Sequence, residues 1–365
     1  MARTQEHTPR HALRGQSGVT LIELMVSLAI GMFMTVGMSY LYLSVSRVFE
    51  NLQASSRLQE RVRFGFERIT NDLRMAGVTG CSYQTMANVL NDSTSWYTSF
   101  FTRPVMGHDS NGGGFPSDLT SFRLRGDALE VLRADSDAEY IIQSHNPPSA
   151  TITLTDKHDI QPGQIVVATD CSHAAVFQIT NANSNNATLV HNTGISAPGN
   201  CTKGLGVPVV CSNPGTAYEF APGSRLLRMT GVAYYIRANA VGEPALYRNA
   251  VGVASNGAQL MPQEILDGIE DFQVRYGIDT SIPADGSVDL YSSADEVTTV
   301  APGSDDDEKW RRVLAVRVSL VVVSTASQQV GTQVIPYVIE GTSRTPTDRR
   351  LRKVFTTTVA IRNRL

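Results

Sequence analysis

The chain has 365 residues, a formal net charge of −3, 42% hydrophobic residues and 18% charged ones. That balance argues against a broadly basic nucleic-acid binder, whose affinity would rest on a positive field. The length beyond residue 77 suffices for one sizeable folded domain.

Arg3, Arg10 and Arg14 precede an apolar run at 18–45, GVTLIELMVSLAIGMFMTVGMSYLYLSV, whose only charged residue is Glu23. About 20 apolar residues cross a bilayer, so the run is long enough. Basic residues stay on the cytoplasmic side, which points the C-terminal end of the run outward. An ordinary secretory signal has a shorter apolar core followed by a small-residue cleavage site. Here the small residue, Gly18, comes before the run. A cut at Gly18 would leave the anchor on the product. A carboxylate in lipid costs about 2.5–3.5 kcal/mol at mid-membrane and less near the edge, so Glu23 should neutralise or find a cation. The plainer alternative is a glutamate reaching the headgroups on a simple anchor.

Gly18-Val19-Thr20-Leu21-Ile22-Glu23-Leu24 resembles the type III signal of type IV prepilins and type II secretion pseudopilins. The resemblance implies cleavage of a 1–18 leader by a prepilin peptidase and N-methylation of Val19, which stands where the family usually has Phe. It also implies that Glu23 pairs with the N-terminal amine of a neighbouring subunit.

Between Val19 and Met75 there is no proline. Continuous helix would give a rod of roughly 85 Å. Its first half, 19–45, is apolar nearly all round. In the second, 46–77, Val62, Phe66, Ile69, Leu73 and Ala76 recur in steps of four and three, with Arg61, Arg63, Glu67, Arg68 and Asp72 between them. One such stripe packs on a globular body, and Gly77 and Gly80 end the helix.

After it, strand and turn signals dominate. Leu314–Val322 alternates into a fully apolar run, Phe272–Ile278 and Val232–Ile236 alternate similarly, and Phe355–Ile361 forms a last strand. Segments 110–116, 181–186, 197–214 and 281–307 read as loops. The expected fold is α+β and pilin-like: a long N-terminal helix packed on an antiparallel sheet within a periplasmic or extracellular domain at 78–365. A loop-rich lobe at 81–213 is a candidate insertion. Residues 266–277 (LDGIEDFQVRYG), 310–317 (WRRVLAVR) and the tail from Asp348 to Arg364 resemble the PilW-type minor pilins, relatives of the J-type minor pseudopilins.

Cys81, Cys171, Cys201 and Cys211 all follow the apolar run, which suits an oxidising compartment. Of three pairings, Cys201–Cys211 with Cys81–Cys171 is preferred; a zinc site lacks ligand spacing. Asp305, Asp306 and Asp307, with Glu308, form a weak calcium candidate, but a solvated acidic turn is preferred. Arg344, Arg349, Arg350, Arg352, Lys353, Arg362 and Arg364 cluster near the C-terminus; DNA contact is disfavoured by the net charge. No nucleophile or phosphate-loop motif supports catalysis, and no cofactor is expected.

The resemblance implies a non-enzymatic minor pilin of the inner membrane (single-pass, N-in/C-out), and later of the fibre at or near its tip. Its partners would be the bilayer, the prepilin peptidase, other minor and major pilins, and the inner-membrane assembly machinery. It would prime or cap the fibre and support twitching motility. A type II secretion pseudopilin, a tip adhesin using aromatics such as Trp96 and Tyr97, and a simple anchored periplasmic protein are the competing readings.

Overall fold

The computed structural model describes residues 18–78, 85–91, 95–98, 103–110, 115–116, 119, 122–194, 197–254, 257–324 and 334–361. Helix α1 runs over Leu21–Arg74, 54 residues without a proline. The chain divides into two compact units, residues 1–56 and 57–365.

In the first unit the apolar part of α1 is exposed throughout, from Leu21 to Val45. Its hydroxyls close back onto helix carbonyls. Ser27 Oγ donates to Glu23 O at 2.8 Å, Thr35 Oγ1 to Gly31 O at 3.0 Å and Ser39 Oγ to Thr35 O at 2.7 Å. A surrounding hydrocarbon would therefore meet few unsatisfied polar atoms.

In the second unit Leu58, Val62, Ile69 and Leu73 are buried on one face of α1, and Ala76, just beyond its end, is buried as well. Gly77, at φ +70°, occupies the left-handed region that favours glycine in the turn that follows the helix, where Val78 N donates to Met75 O at 3.1 Å. The exit is then sealed: Gly77 N donates to Leu132 O at 3.0 Å, and Ala76 bridges Arg133.

Eleven strands among the described residues build a large sheet. They are β1 (Thr85–Asn88), β2 (Val105–His108), β3 (Arg125–Asn146), β4 (Thr151–Leu154), β5 (Ile165–Thr169) and β6 (His173–Gln178). β7 (Asn181–Asn183), β8 (Thr188–Val190), β9 (Arg225–Ala238), β10 (Pro244–Ala254) and β11 (Gly257–Asp267) complete it. The order is β1-β6-β5-β9-β3-β4-β8-β7; β2 joins β3, and the β10–β11 hairpin adds through β9. Pairing is antiparallel except between β1 and β6.

A smaller antiparallel sheet has the order β13-β12-β14-β17. Its strands are β12 (Ile269–Ile278), β13 (Leu290–Ser292), β14 (Val313–Val323) and β17 (Arg352–Ala360). β15 (Tyr337–Ile339) and β16 (Thr342–Arg344) form a separate hairpin. Short helices α2 (Ala294–Val300) and α3 (Asp306–Arg311) precede β14. One core joins the stripe of α1 to Leu129 and Val131 of β3, Tyr234 of β9, Phe272 and Tyr276 of β12, and Val316 and Val318 of β14.

Three expectations are corrected. Segment 81–213 is not set apart as a lobe: its described strands share one sheet with β9, β10 and β11, because the long β3 and β9 pair from Arg125↔Ile236 to Ile141↔Arg225. Segment 281–307 holds β13 and α2 and the start of α3, since Glu296 and the carboxylate of Asp305 supply helix caps that outweigh its Gly/Pro content. Segment 181–186 begins with the short β7.

Candidate functional site

Thr20 is the last residue before α1, and Glu23 lies in the first turn. Thr20 Oγ1 accepts from Glu23 N at 3.4 Å and lies 3.4 Å from Glu23 Oε2, to which it donates. The Thr-x-x-Glu spacing is that of a capping box, a signal present in the sequence that the reading of Glu23 overlooked. A glutamate there also suits the positive end of the helix dipole. No arginine, lysine or histidine pairs with Glu23 among the described residues of its own chain. Gly18, Val19 and Glu23 are all exposed, and among the described residues beyond its chain neighbours nothing lies within 4 Å of a Cβ built on Gly18. Among the described residues nothing covers this segment, and the carboxylate is open to a cation from elsewhere. Residues 1–17 of the expected leader lie outside the described residues. α1 is the one helix among the described residues long and apolar enough to span a membrane.

At the other end of α1 a buried ion cluster fixes the helix to the sheet. Asp72 has no exposure. Its Oδ2 accepts from Tyr234 Oη at 2.6 Å and from Arg248 Nε at 2.8 Å, while Arg133 Nε lies 2.8 Å from Oδ1. Burial alone would push the Asp72 carboxyl up. The hydrogen bond and charge of Arg248, the charge of Arg133 and the Tyr234 hydroxyl outweigh it and hold the group below the usual carboxylate range. β3, β9 and β10 each donate one member, so one carboxylate ties α1 to three strands. Sequence reading placed Asp72 among the polar residues flanking the stripe. Yet Ile69, Asp72 and Ala76 step by three and four, so Asp72 was legible as a member of the buried face.

The stripe residues lie together around this cluster: Val62, Ile69 and Leu73 are buried, and Phe66 packs partly buried against the same core. Arg61 adds an ion pair with Asp267 at the end of β11.

Cys201 and Cys211 form a disulfide. Cys171 is also disulfide-bonded, and its expected partner, Cys81, lies outside the described residues. The acidic run is absorbed by structure. Asp305 accepts from Glu308 N at 2.8 Å as the cap of α3, Asp307 pairs with Arg103, and Glu308 accepts from Ser304 N at 2.8 Å. Among the described residues no group of three or more His, Cys, Asp or Glu could hold a metal. The C-terminal basic cluster is likewise partly neutralised. Arg350 pairs with Asp348 and Glu243, and Arg352, only 4% exposed in its side chain, pairs with Glu270 at 2.6 Å and Asp348 at 2.7 Å. Arg362 and Arg364 lie outside the described residues. Trp96 is buried rather than displayed, because it packs with Leu90, Leu132 and Met229 in a separate core cluster.

Comparison with known proteins places family signatures at both ends of the chain. Residues 13–39 match the prokaryotic N-terminal methylation motif, and residues 233–363 match the type IV pilus-assembly protein W family. The pilin-like protein PilA3 of Thermus thermophilus is 44% identical over 61 residues, 16% of this chain and 26% of that relative. The chain therefore spans about a quarter of the relative it matches. A type IV-like pilin from Thermus thermophilus, of solved structure, is 12% identical, with 56% of this chain and 87% of that one covered at a TM-score of 0.22. The chain thus carries a prepilin methylation motif at its N-terminal end and a PilW-type pilus-assembly domain at its C-terminal end.

Proposed function

We propose that this chain is a minor pilin that takes part in type IV pilus assembly, with a structural rather than catalytic role. The prepilin peptidase removes residues 1–18, Val19 is methylated, and the apolar half of α1 holds the protein in the inner membrane with its domain outside. The helix then passes into a fibre core beside other minor and major pilins. There the protein primes or caps the fibre at or near its tip, and twitching motility depends on that fibre. The observation that carries this reading is Glu23: a carboxylate in an exposed apolar helix with no cationic partner among the described residues of its own chain. The new amine of a neighbouring subunit supplies that cation. A charge in hydrocarbon gains more from such a partner than one in water does. The PilW-type match at residues 233–363 supports the pilus over a secretion pseudopilus.

The test is N-terminal sequencing of the membrane-extracted protein together with fibre counts in a strain whose only copy is Glu23→Ala. A mature chain beginning at Val19 and a loss of surface fibres are expected. Retention of residues 1–18, or wild-type fibre numbers with the variant, would overturn the reading.

A further inference from the structure

Strand β17 borders the small sheet, pairing with β14 and with no other strand among the described residues. Ile361 N donates to Leu314 O beyond one end of the pair, and Ser324 N to Leu351 O beyond the other. The register between them runs from Ala315↔Ala360 to Val323↔Arg352 without a shift. Bonded and non-bonded pairs alternate along an antiparallel ladder, so both ends assign the same outward set. The backbone N–H and C=O groups of Arg352, Val354, Thr356, Thr358 and Ala360 point away from β14. No backbone group meets them among the described residues.

Sheet edges are normally blunted, because a free ladder recruits other strands. The other borders here follow that rule. β1, β2, β7 and β13 have three or four residues each, and β11 carries Pro262 and a shift in its ladder. β17 has nine residues with neither proline nor bulge, and Thr356, Thr357 and Thr358 suit an extended backbone. Beside this edge an open groove of about 720 Å³ runs between α1 and β17. Val62, Phe66 and Arg74 line one side and Phe355 and Thr357 the other. Arg63, on the helix side, is paired with Glu67 at 3.3 Å, whereas no carboxylate pairs with Arg74 among the described residues. From residue 349 to 365 the chain has basic residues and no acid. A second copy of β17 would therefore bring more positive charge to the groove and no partner for Arg74.

We propose that the β17 edge docks an extended acidic segment of a different protein, added to the small sheet as an antiparallel strand. The outward backbone groups of Val354, Thr356 and Thr358 bond to the main chain of that segment, which supplies the affinity. Alternate side chains of the segment enter the groove, where a carboxylate pairs with Arg74. The surface needs neither Glu23 nor the cut at Gly18, so it stands apart from the assembly reading.

The experiment uses the full chain in detergent micelles and a capped peptide of the length of β17, alternating valine and threonine around a central glutamate. Fluorescence anisotropy of the labelled peptide reads affinity, and hydrogen-exchange mass spectrometry reads the site. Binding should slow exchange across 352–360. Thr358→Pro removes an outward N–H that β14 does not use and should weaken binding about tenfold, whereas Thr358→Val keeps it and should bind as wild type. A peptide with glutamine for glutamate, and the Arg74→Gln protein, should each bind roughly fivefold more weakly. No binding, protection away from 352–360, or equal affinity for the glutamate and glutamine peptides would overturn the proposal. So would equal affinity of folded Thr358→Pro and Thr358→Val proteins. If Thr358→Pro unfolds, a peptide N-methylated at alternate amides takes its place, and binding equal to the parent peptide would count against strand addition. Dimerisation of the chain that Thr358→Pro abolishes would overturn the choice of occupant and assign the edge to a second copy.

Discussion

A carboxylate with no exposure, held by two arginines, loses more when it is removed than its own bonds contribute. Asp72→Ala would leave Arg133 and Arg248 as uncompensated charges in the core, a change that costs about 3–5 kcal/mol. A melting-temperature drop in that direction, larger than the drop for Phe66→Ala, is expected; equal melting of wild type and Asp72→Ala would refute it. Because the folded-state value of Asp72 is depressed, its contribution is fully present above the unfolded value near 4 and is lost as pH falls through the lower folded value. Asp127 works in the opposite sense. Burial pushes it up to about 6, only partly offset by bonds from Val274 N and Ser110 N, with Asp109 raising it and Arg275 lowering it. Between pH 4 and 6 the folded chain holds a proton there that the unfolded chain has lost, so stability falls as pH rises through 6, by about 3 kcal/mol at most. None of this could be read from the sequence: Asp127 sits in an ordinary RGDALE stretch. Only the packing of β3 against Val274 of β12 removes it from water.

Among the elements, α1 was the most legible. Its span, its two halves and its glycine stop follow from composition and a three-four repeat. The strands at 269–278 and 313–323 were also legible, because alternation at half-buried positions survives in sequence. The large sheet was not, since its order depends on β3 and β9 pairing across loops that composition cannot connect. The segment closed by Cys201 and Cys211 shows how a loop becomes an element. Thr202 Oγ1 donates to Pro214 O at 3.0 Å, Gly206 N to Thr216 O at 2.8 Å, and a Cβ on Gly204 would collide with Thr216 O. Opening a ring with the 10-residue separation of this pair releases about 2–3 kcal/mol of unfolded-chain entropy. Cys201→Ser with Cys211→Ser should therefore melt several degrees lower in a thermal scan. An unchanged melting temperature would mean that the glycines and hydrogen bonds alone set the loop.

At the scale of the molecule, pH acts on several buried groups at once. His145 and His191 face each other with Nε2 atoms 3.1 Å apart, and burial lowers them to about 4 and about 3. The unfolded chain binds more protons at these two sites between those values and 6.5, so they make stability rise with pH over a window in which Asp127 makes it fall. Asp127→Asn should therefore steepen the rise in melting temperature from pH 4 to 6, and a slope equal to wild type would exclude Asp127 as the opposing group. The two units meet these conditions differently. The described apolar side chains from Val19 to Leu52 are exposed and suited to lipid or to neighbouring helices, whereas the sheets of residues 57–365 hold the titrating core. The helix crosses from one unit to the other without a proline. Load applied at residue 57 along the axis of this part of α1 would run parallel to the buried stripe. It would have to shear Leu58, Val62, Ile69 and Leu73 past their neighbours together, with Asp72 as a bolt across the slip plane. A filament built from this joint would resist pulling by sliding friction spread over four turns rather than by peeling one contact at a time.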